Sequence, residues 1–426
     1  MEKSSSTSTT VPHFRVNHIL LKKIATSLSG VHLKHLAIRF EHELLTLMGK
    51  VDVAHEWVQQ DDLYVFVRHL MFQSATNSLC GRQLLRMEPT FEENFWGFDN
   101  RIMLLTSGLP RFLVREAWAV REKCLISVRR WLDVVFSENE DWDDPKTSLD
   151  VDHPAEMFRA NRRFCSNLKE MDMDCHASDH LGMLWGLNAN AIPLTFWTIF
   201  EVLQRGELLE EVRKEVLGSI LPESRGRDVR FDIDKLCRNP LLQSIYAEAA
   251  RLYVNNTHTR GLRADTQLGP WSLKRDRFVL FSTFWTQRDP TTWNTGTSAD
   301  PHPVDEFWAK RFLIYPHDPM SGPLKPTSLP DRLPEQAEAN IPRFSLDGLT
   351  GMWIPYGGGD SICPGRFFAK QKILFGLAFM VTLFDLELIP GWNLEMDRSQ
   401  LGFGTTVPKG SAPFMIRKRN WEETRI

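Results

Sequence analysis

The sequence predicts a mainly α-helical chain carrying small β-sheets, and three observations predict it. Apolar residues recur at three and four from Val16 to Met48 (Leu33, Leu36, Phe40, Leu44, Leu45, Met48) and again from Ala117 to Phe136, the period of a helix with one buried face. Two further stretches, about Ser178 to Arg205 and from just after Cys363 to Phe384, are apolar enough for buried helices. Residues 266 to 290 alternate in the manner of strands, with a turn at Lys274, Arg275 and Asp276.

Taken in order, residues 1–15 form a polar, Ser/Thr-rich leader that reads as disordered, and 16–426 read as one domain. Proline and charge punctuate the helical first half at Pro89, at Pro110 and in the acidic stretch from Ser137 to Pro154, a solvated connector. After the long helix a shorter one is predicted from Pro240 to Tyr253, followed by the strands. Residues 291–350 are rich in Pro, Asp, Gly and Thr, and predict an irregular segment packed over something else. The tail from Leu386 to Arg419 reads as short strands and turns.

Composition removes several function classes. Lys and Arg total 51 against 54 Asp and Glu, a net charge of −3, so no basic field exists to hold a nucleic-acid backbone. The six cysteines are scattered without a CxxC pair, which points to a reducing compartment. The start lacks the apolar core of a secretory signal, and the longest apolar run, Ile373 to Phe384, falls short of the roughly 18–20 residues that span a bilayer.

The most informative stretch is WIPYGGGDSICPGRFFAKQKILF. Three glycines precede Cys363 by four to six residues, and an apolar helix opens directly behind it. Glycine accepts positive φ and lets backbone approach a flat ligand, while Pro364 suits the first turn of a helix. Cys363 is therefore placed at a helix N-terminus, where orphan N–H groups and the positive dipole end favour a thiolate.

Tyr356 to Ala369 resemble the haem-binding signature of the cytochrome P450 family, FxxGxxxCxGxxxA, with Gly359, Cys363, Gly365 and Ala369 in register. Tyr356 stands where Phe is usual, beside Gly357, and Ser361 stands where many members carry Arg or His for a haem propionate. The resemblance implies the P450 fold, haem b (iron protoporphyrin IX) and Cys363 as axial ligand to its iron. In SIYAEAARLY, Glu248 and Arg251 sit three apart on a helical face, which alone describes an ordinary surface ion pair. They match the family's ExxR motif, and Arg311 in HPVDEFWAKRF matches the arginine that completes a buried network beneath the haem.

The stretch MLWGLNANAIPLTFW adds an anomaly. Pro193 cannot donate to the carbonyl of Ala189, so the long helix is expected to bend or open next to Asn190. By resemblance this helix crosses the distal haem face, and the usual acid and Thr fall on Ala189 and Asn190. Asn190 is the expected hydrogen-bonding substitute. The pattern WxxxxNxxPxxFW is similar to the subgroup of sterol 7α- and 12α-hydroxylases and prostacyclin synthase.

The resemblance spans about Val16 to Lys418 and implies a monooxygenase that inserts oxygen from O2 into an apolar, steroid, terpenoid or other lipid-like substrate. NADPH would serve through a separate NADPH-cytochrome P450 reductase, on the cytoplasmic side at the endoplasmic reticulum surface. By position alone, Trp185, Asn188, Ile192, Asn255, Thr257, Phe403 and Thr405 are expected to touch substrate. The usual N-terminal anchor and first strands are not visible, so the fold is expected to be N-terminally short. Two alternatives stay open: a P450-type isomerase or dehydratase acting on a peroxide without reductase, and a truncated non-catalytic homologue.

Overall fold

The computed structural model describes residues 16–136, 148–168, 171–226, 228–325, 341–359 and 362–424; the leader 1–15, most of the acidic connector and Ser361 lie outside the described residues. Helices dominate the first half, as the three-and-four spacing predicts: α1 (Val16–Ser27), α2 (Gly30–Gly49), then past strand β1 (Val58–Gln60) α3 (Leu63–Cys80), α4 (Gln83–Met87), α5 (Phe91–Asp99), α6 (Ile102–Thr106), α7 (Arg115–Val135) and α8 (Glu156–Ser166). The long apolar stretch forms two helices, α9 (Met173–Asn188) and α10 (Ala191–Leu203), followed by α11 (Gly206–Leu217), α12 (Ile233–Arg238) and α13 (Pro240–Tyr253). Next come β2 (Val254–Gly261), β3 (Thr266–Leu268), β4 (Trp271–Leu273), β5 (Phe278–Ser282), the single turn α14 (Thr283–Thr286), β6 (Leu313–Ile314) and β7 (Arg343–Phe344). The chain ends with α15 (Arg366–Leu383), β8 (Phe384–Leu388), β9 (Glu395–Met396), β10 (Phe403–Thr405), β11 (Pro408–Lys409) and β12 (Phe414–Lys418).

All named strand pairs are antiparallel, in orders β1-β12-β8 and β10-β2-β5 with pairs β11-β9, β3-β4 and β6-β7. The turn expected at 274–276 is present, with Asp276 at φ 61°. No helix among the described residues is long and apolar enough to cross a membrane.

The residues group into two compact units. One comprises Met1–Glu43, Ser74–Trp185 and Pro364–Phe368. Within it α5 packs on α7 and α1 on α8. The buried Arg39 guanidinium ties the end of α3 to a following loop, donating to Ser78 O (2.8 Å) and Asp150 O (2.6 Å). Satisfying those carbonyls is what makes a buried cation tolerable there.

The other unit comprises Leu44–Gln73, Gly186–Cys363 and Ala369–Ile426 and holds most of the predicted site. Its centre is α13, started by Asn239, whose side chain accepts from Leu242 N (2.9 Å), with Pro240 in the first turn. Helix α10 packs on α13; the Trp197 ring lies flat on Tyr253, centroids 4.1 Å apart, and its indole donates to Thr406 O at 2.7 Å. Helix α15 is buried nearly all round from Ile373 to Val381, which explains why its sequence is apolar without a clear stripe.

Candidate active site

The cysteine loop is pinned from two sides. Trp353 donates from its indole to Ala247 O on α13 (3.0 Å), and Asn256 on β2 donates from Nδ2 to Pro355 O (3.0 Å). The Tyr246 hydroxyl on α13 donates to the Tyr356 hydroxyl at 2.6 Å. Cys363 N closes the loop by donating to Tyr356 O at 2.9 Å, and α15 opens three residues later at Arg366. Gly357 (φ 72°) and Gly359 (φ 65°) take the left-handed backbone that the sequence predicts of them. Among the described residues a Cβ at Gly358 or Gly359 would meet nothing within 4 Å, which leaves open space there.

Both phenols of this pair are held protonated. Burial, with the charge of Cys363 adding to it, pushes Tyr356 above the usual range against the opposing bond from Tyr246. Burial and then Tyr356 do the same to Tyr246. None of the six cysteines is disulfide-bonded. Burial pushes Cys124 up to about 12 and Cys165 and Cys237 up to about 11, which keeps those thiols neutral.

Glu248, Arg251 and Arg311 are all fully buried and joined. Arg251 binds Glu248 through two bonds, Nε to Oε2 (2.7 Å) and Nη2 to Oε1 (2.9 Å), and Arg311 Nε reaches Oε1 at 2.9 Å. The backbone N–H of Trp308 adds a further donor at 3.1 Å. Remaining guanidinium protons go to carbonyls: Arg251 to Gln287 O (2.6 Å), Arg311 to Asn294 O, Pro303 O (3.2 Å) and Glu306 O (3.3 Å). The irregular segment is thereby tied to the network, since three of its carbonyls accept from Arg311. Burial alone would raise the Glu248 carboxyl; the two guanidiniums outweigh it and hold the group down at about 2.

The opening expected at Pro193 falls at Ala189–Asn190, between α9 and α10. Asn190 caps α10 by position (φ −98°, ψ −39°), but its side chain makes no cap bond. Its Oδ1 accepts from Thr405 N on β10 at 2.8 Å. Among the described residues its Nδ2 has no protein acceptor, so the donor end is the one left for a ligand. Gly404 makes the approach possible: its φ is +125°, and a Cβ there would lie 2.0 Å from Asn190 Oδ1. Gly404→Ala is accordingly expected to cost about 1–3 kcal/mol, from backbone strain and displacement of Asn190. Chemical denaturation measures it, and an unchanged midpoint would refute the contact.

The predicted substrate contacts divide. Thr257 and Phe403 are exposed around the β2–β10 pairing, where Phe403 lies opposite Asn256. Thr405 Oγ1 is buried with no protein partner among the described residues, an acceptor and donor in need of one. Three residues are corrected. Ile192 and Asn188 are fully buried and offer no surface to a ligand. Asn255 is also fully buried; its amide donates to Thr406 Oγ1 (2.7 Å) and accepts from Arg288 (3.3 Å), so it braces β2. Trp185 lies in the other unit and spends its indole N–H on Asp99 (2.7 Å). Ala189 is buried and carries no proton to move.

Three contributors escaped the sequence reading: Tyr246, Lys372 and Gly404. Each acts on a residue more than 100 positions away. The glycine carried the one available signal, sitting between two predicted contacts.

The chain is 34% identical to cytochrome P450 monooxygenase efuG of Hormonema carpetanum over 95% of its own length and 76% of the relative's. It belongs to the cytochrome P450 family. It is also 26% identical to the cholesterol 7-alpha-monooxygenase of Cricetulus griseus, over 85% of this chain and 67% of the other. Among solved structures, the P450 CYP102L1 superposes with a TM-score of 0.66 at 14% identity, over 95% of this chain and 80% of that one. No family model matches the chain. Family membership implies haem, and the residues present fit it. The P450 loop leaves open space over Gly358 and Gly359. Among the described residues no group of three His, Cys, Asp or Glu side chains could hold a metal ion.

Proposed function

We propose that this P450 is a monooxygenase acting on an apolar steroid, terpenoid or other lipid-like substrate, supplied with electrons from NADPH through a separate reductase. Cys363 would be the axial thiolate, with Tyr356, Gly357, Gly359, Gly365 and Ala369 framing the haem. When bound, the haem supplies O2 activation, with thiolate ligation favouring O–O cleavage. Asn190 carries the distal part of the reading: with Oδ1 taken by Thr405 N, its Nδ2 is presented as a donor. An amide donor orients a water or hydroxyl and does not release its own proton, so protons would arrive from solvent past Asn190. Phe403 and Thr257 offer surface to the substrate, and the Thr405 hydroxyl offers a hydrogen bond.

The subgroup pattern around Asn190 and Pro193 and the likeness to a cholesterol 7-alpha-monooxygenase support a sterol-like substrate. The replaced acid and Thr keep one competitor in view, a reductase-independent rearrangement of a peroxide. Purified protein with reductase and NADPH, offered sterols and terpenoids, is expected to give products heavier by one oxygen. Turnover of an organic peroxide with no need for NADPH would replace this reading by the isomerase. Asn190→Ala is expected to lower product per NADPH consumed by about tenfold at unchanged haem content, less than the roughly 10²–10⁴-fold of a group that transfers a proton itself, because the amide only orients one.

A further inference from the structure

Lys372 is a fully buried lysine on α15, nine residues beyond Cys363, and the proposed chemistry does not use it. Its Nζ donates to Leu187 O at 2.5 Å. Leu187 lies in the last turn of α9, one of the helix-end carbonyls that lose their next-turn partners when the helix stops at Asn188. Pro193 removes a further donor from the same opening. One turn along α15, Gly376 packs directly on α10: a Cβ there would lie 2.6 Å from Thr195 Cγ2. The helix that starts behind the sulfur ligand thus touches the distal helix on both sides of its opening.

We propose that Lys372 is a positioning residue for the distal site, holding the α9–α10 opening in place by donating to a carbonyl that the opening releases. This rests on the reading of Asn190 as the distal donor, because the opening is what carries Asn190 toward Thr405. Burial pulls the lysine down to about 7, so near neutrality both ammonium and amine are populated. Either form donates to a carbonyl, so the bond survives the change of charge.

The test is hydrogen exchange over the peptide spanning the opening in the haem-loaded protein. Lys372→Met is expected to speed exchange there about fivefold, the weight of one lost hydrogen bond. The reduced carbonyl spectrum should stay unchanged, and the turnover number should fall several-fold at constant KM. Pro193→Ala offers its new N–H to Ala189 O and not to Leu187 O, so the Lys372→Met effect should persist in that background. Native exchange in Lys372→Met, in either background, overturns the proposal. If Lys372→Met does not accumulate, Lys372→Gln decides: native exchange supports the donor role, and fast exchange or failure to fold refutes it. Because exchange is read without turnover, an active Asn190→Ala would sink the distal reading and leave the Lys372 result interpretable.

Discussion

Cys363→Ala is expected to abolish the shifted Soret band of the reduced carbonyl complex and to leave no measurable oxygenation. Cys363 is the thiolate proposed above, and its backbone setting supports that reading. It sits in a loop closed by its own N–H on Tyr356 O, ahead of α15, whereas burial holds Cys124, Cys165 and Cys237 as neutral thiols. Those three therefore serve as controls: each replaced by alanine should leave the band in place. Far-UV circular dichroism of Cys363→Ala should remain helical, since the loop is pinned through Trp353, Asn256 and Tyr356 and not through sulfur. A normal band in Cys363→Ala would refute the assignment.

Glu248→Gln should carry the largest cost in stability. It leaves two buried guanidiniums facing each other without the carboxylate that both bind, a change worth about 3–5 kcal/mol. Holding Glu248 at about 2 against its ordinary 4.5 corresponds to about 3 kcal/mol, the same order. A depressed carboxyl stabilises the fold above its unfolded value and loses that contribution as pH falls through the folded one. The wild-type protein should therefore lose stability between pH 4.5 and about 2, and Glu248→Gln should lack that component. Urea denaturation at a series of pH values measures both. A Gln variant with wild-type stability and haem content would show that the network is dispensable.

How much of this was legible in the sequence depended on distance along the chain. The cysteine loop and the Glu248–Arg251 pair are local patterns, and a helix fixes what three residues of spacing mean. Pro193 predicted the opening at Asn190 for the same reason, because a missing N–H acts on the carbonyl one turn back. Arg311 was found only through family likeness, since nothing local says that an arginine in an irregular segment turns inward. Asn255 failed differently. It lies on β2, where successive residues face opposite sides, and position along the chain does not tell which side is buried. The bonds of Tyr246 to Tyr356, Lys372 to Leu187 and Asn190 to Thr405 depend on tertiary placement and left no trace in spacing.

The crossing of α15 over α10 also limits how this sequence can diverge. Thr195 bonds its hydroxyl to Ala191 O at 2.8 Å, which fixes its rotamer and keeps Cγ2 turned toward Gly376. The other neighbour, Met71, can yield with its flexible thioether; Thr195 cannot. Positions 195 and 376 are thus expected to change together among homologues, with an alanine at 376 accompanied by a smaller residue at 195.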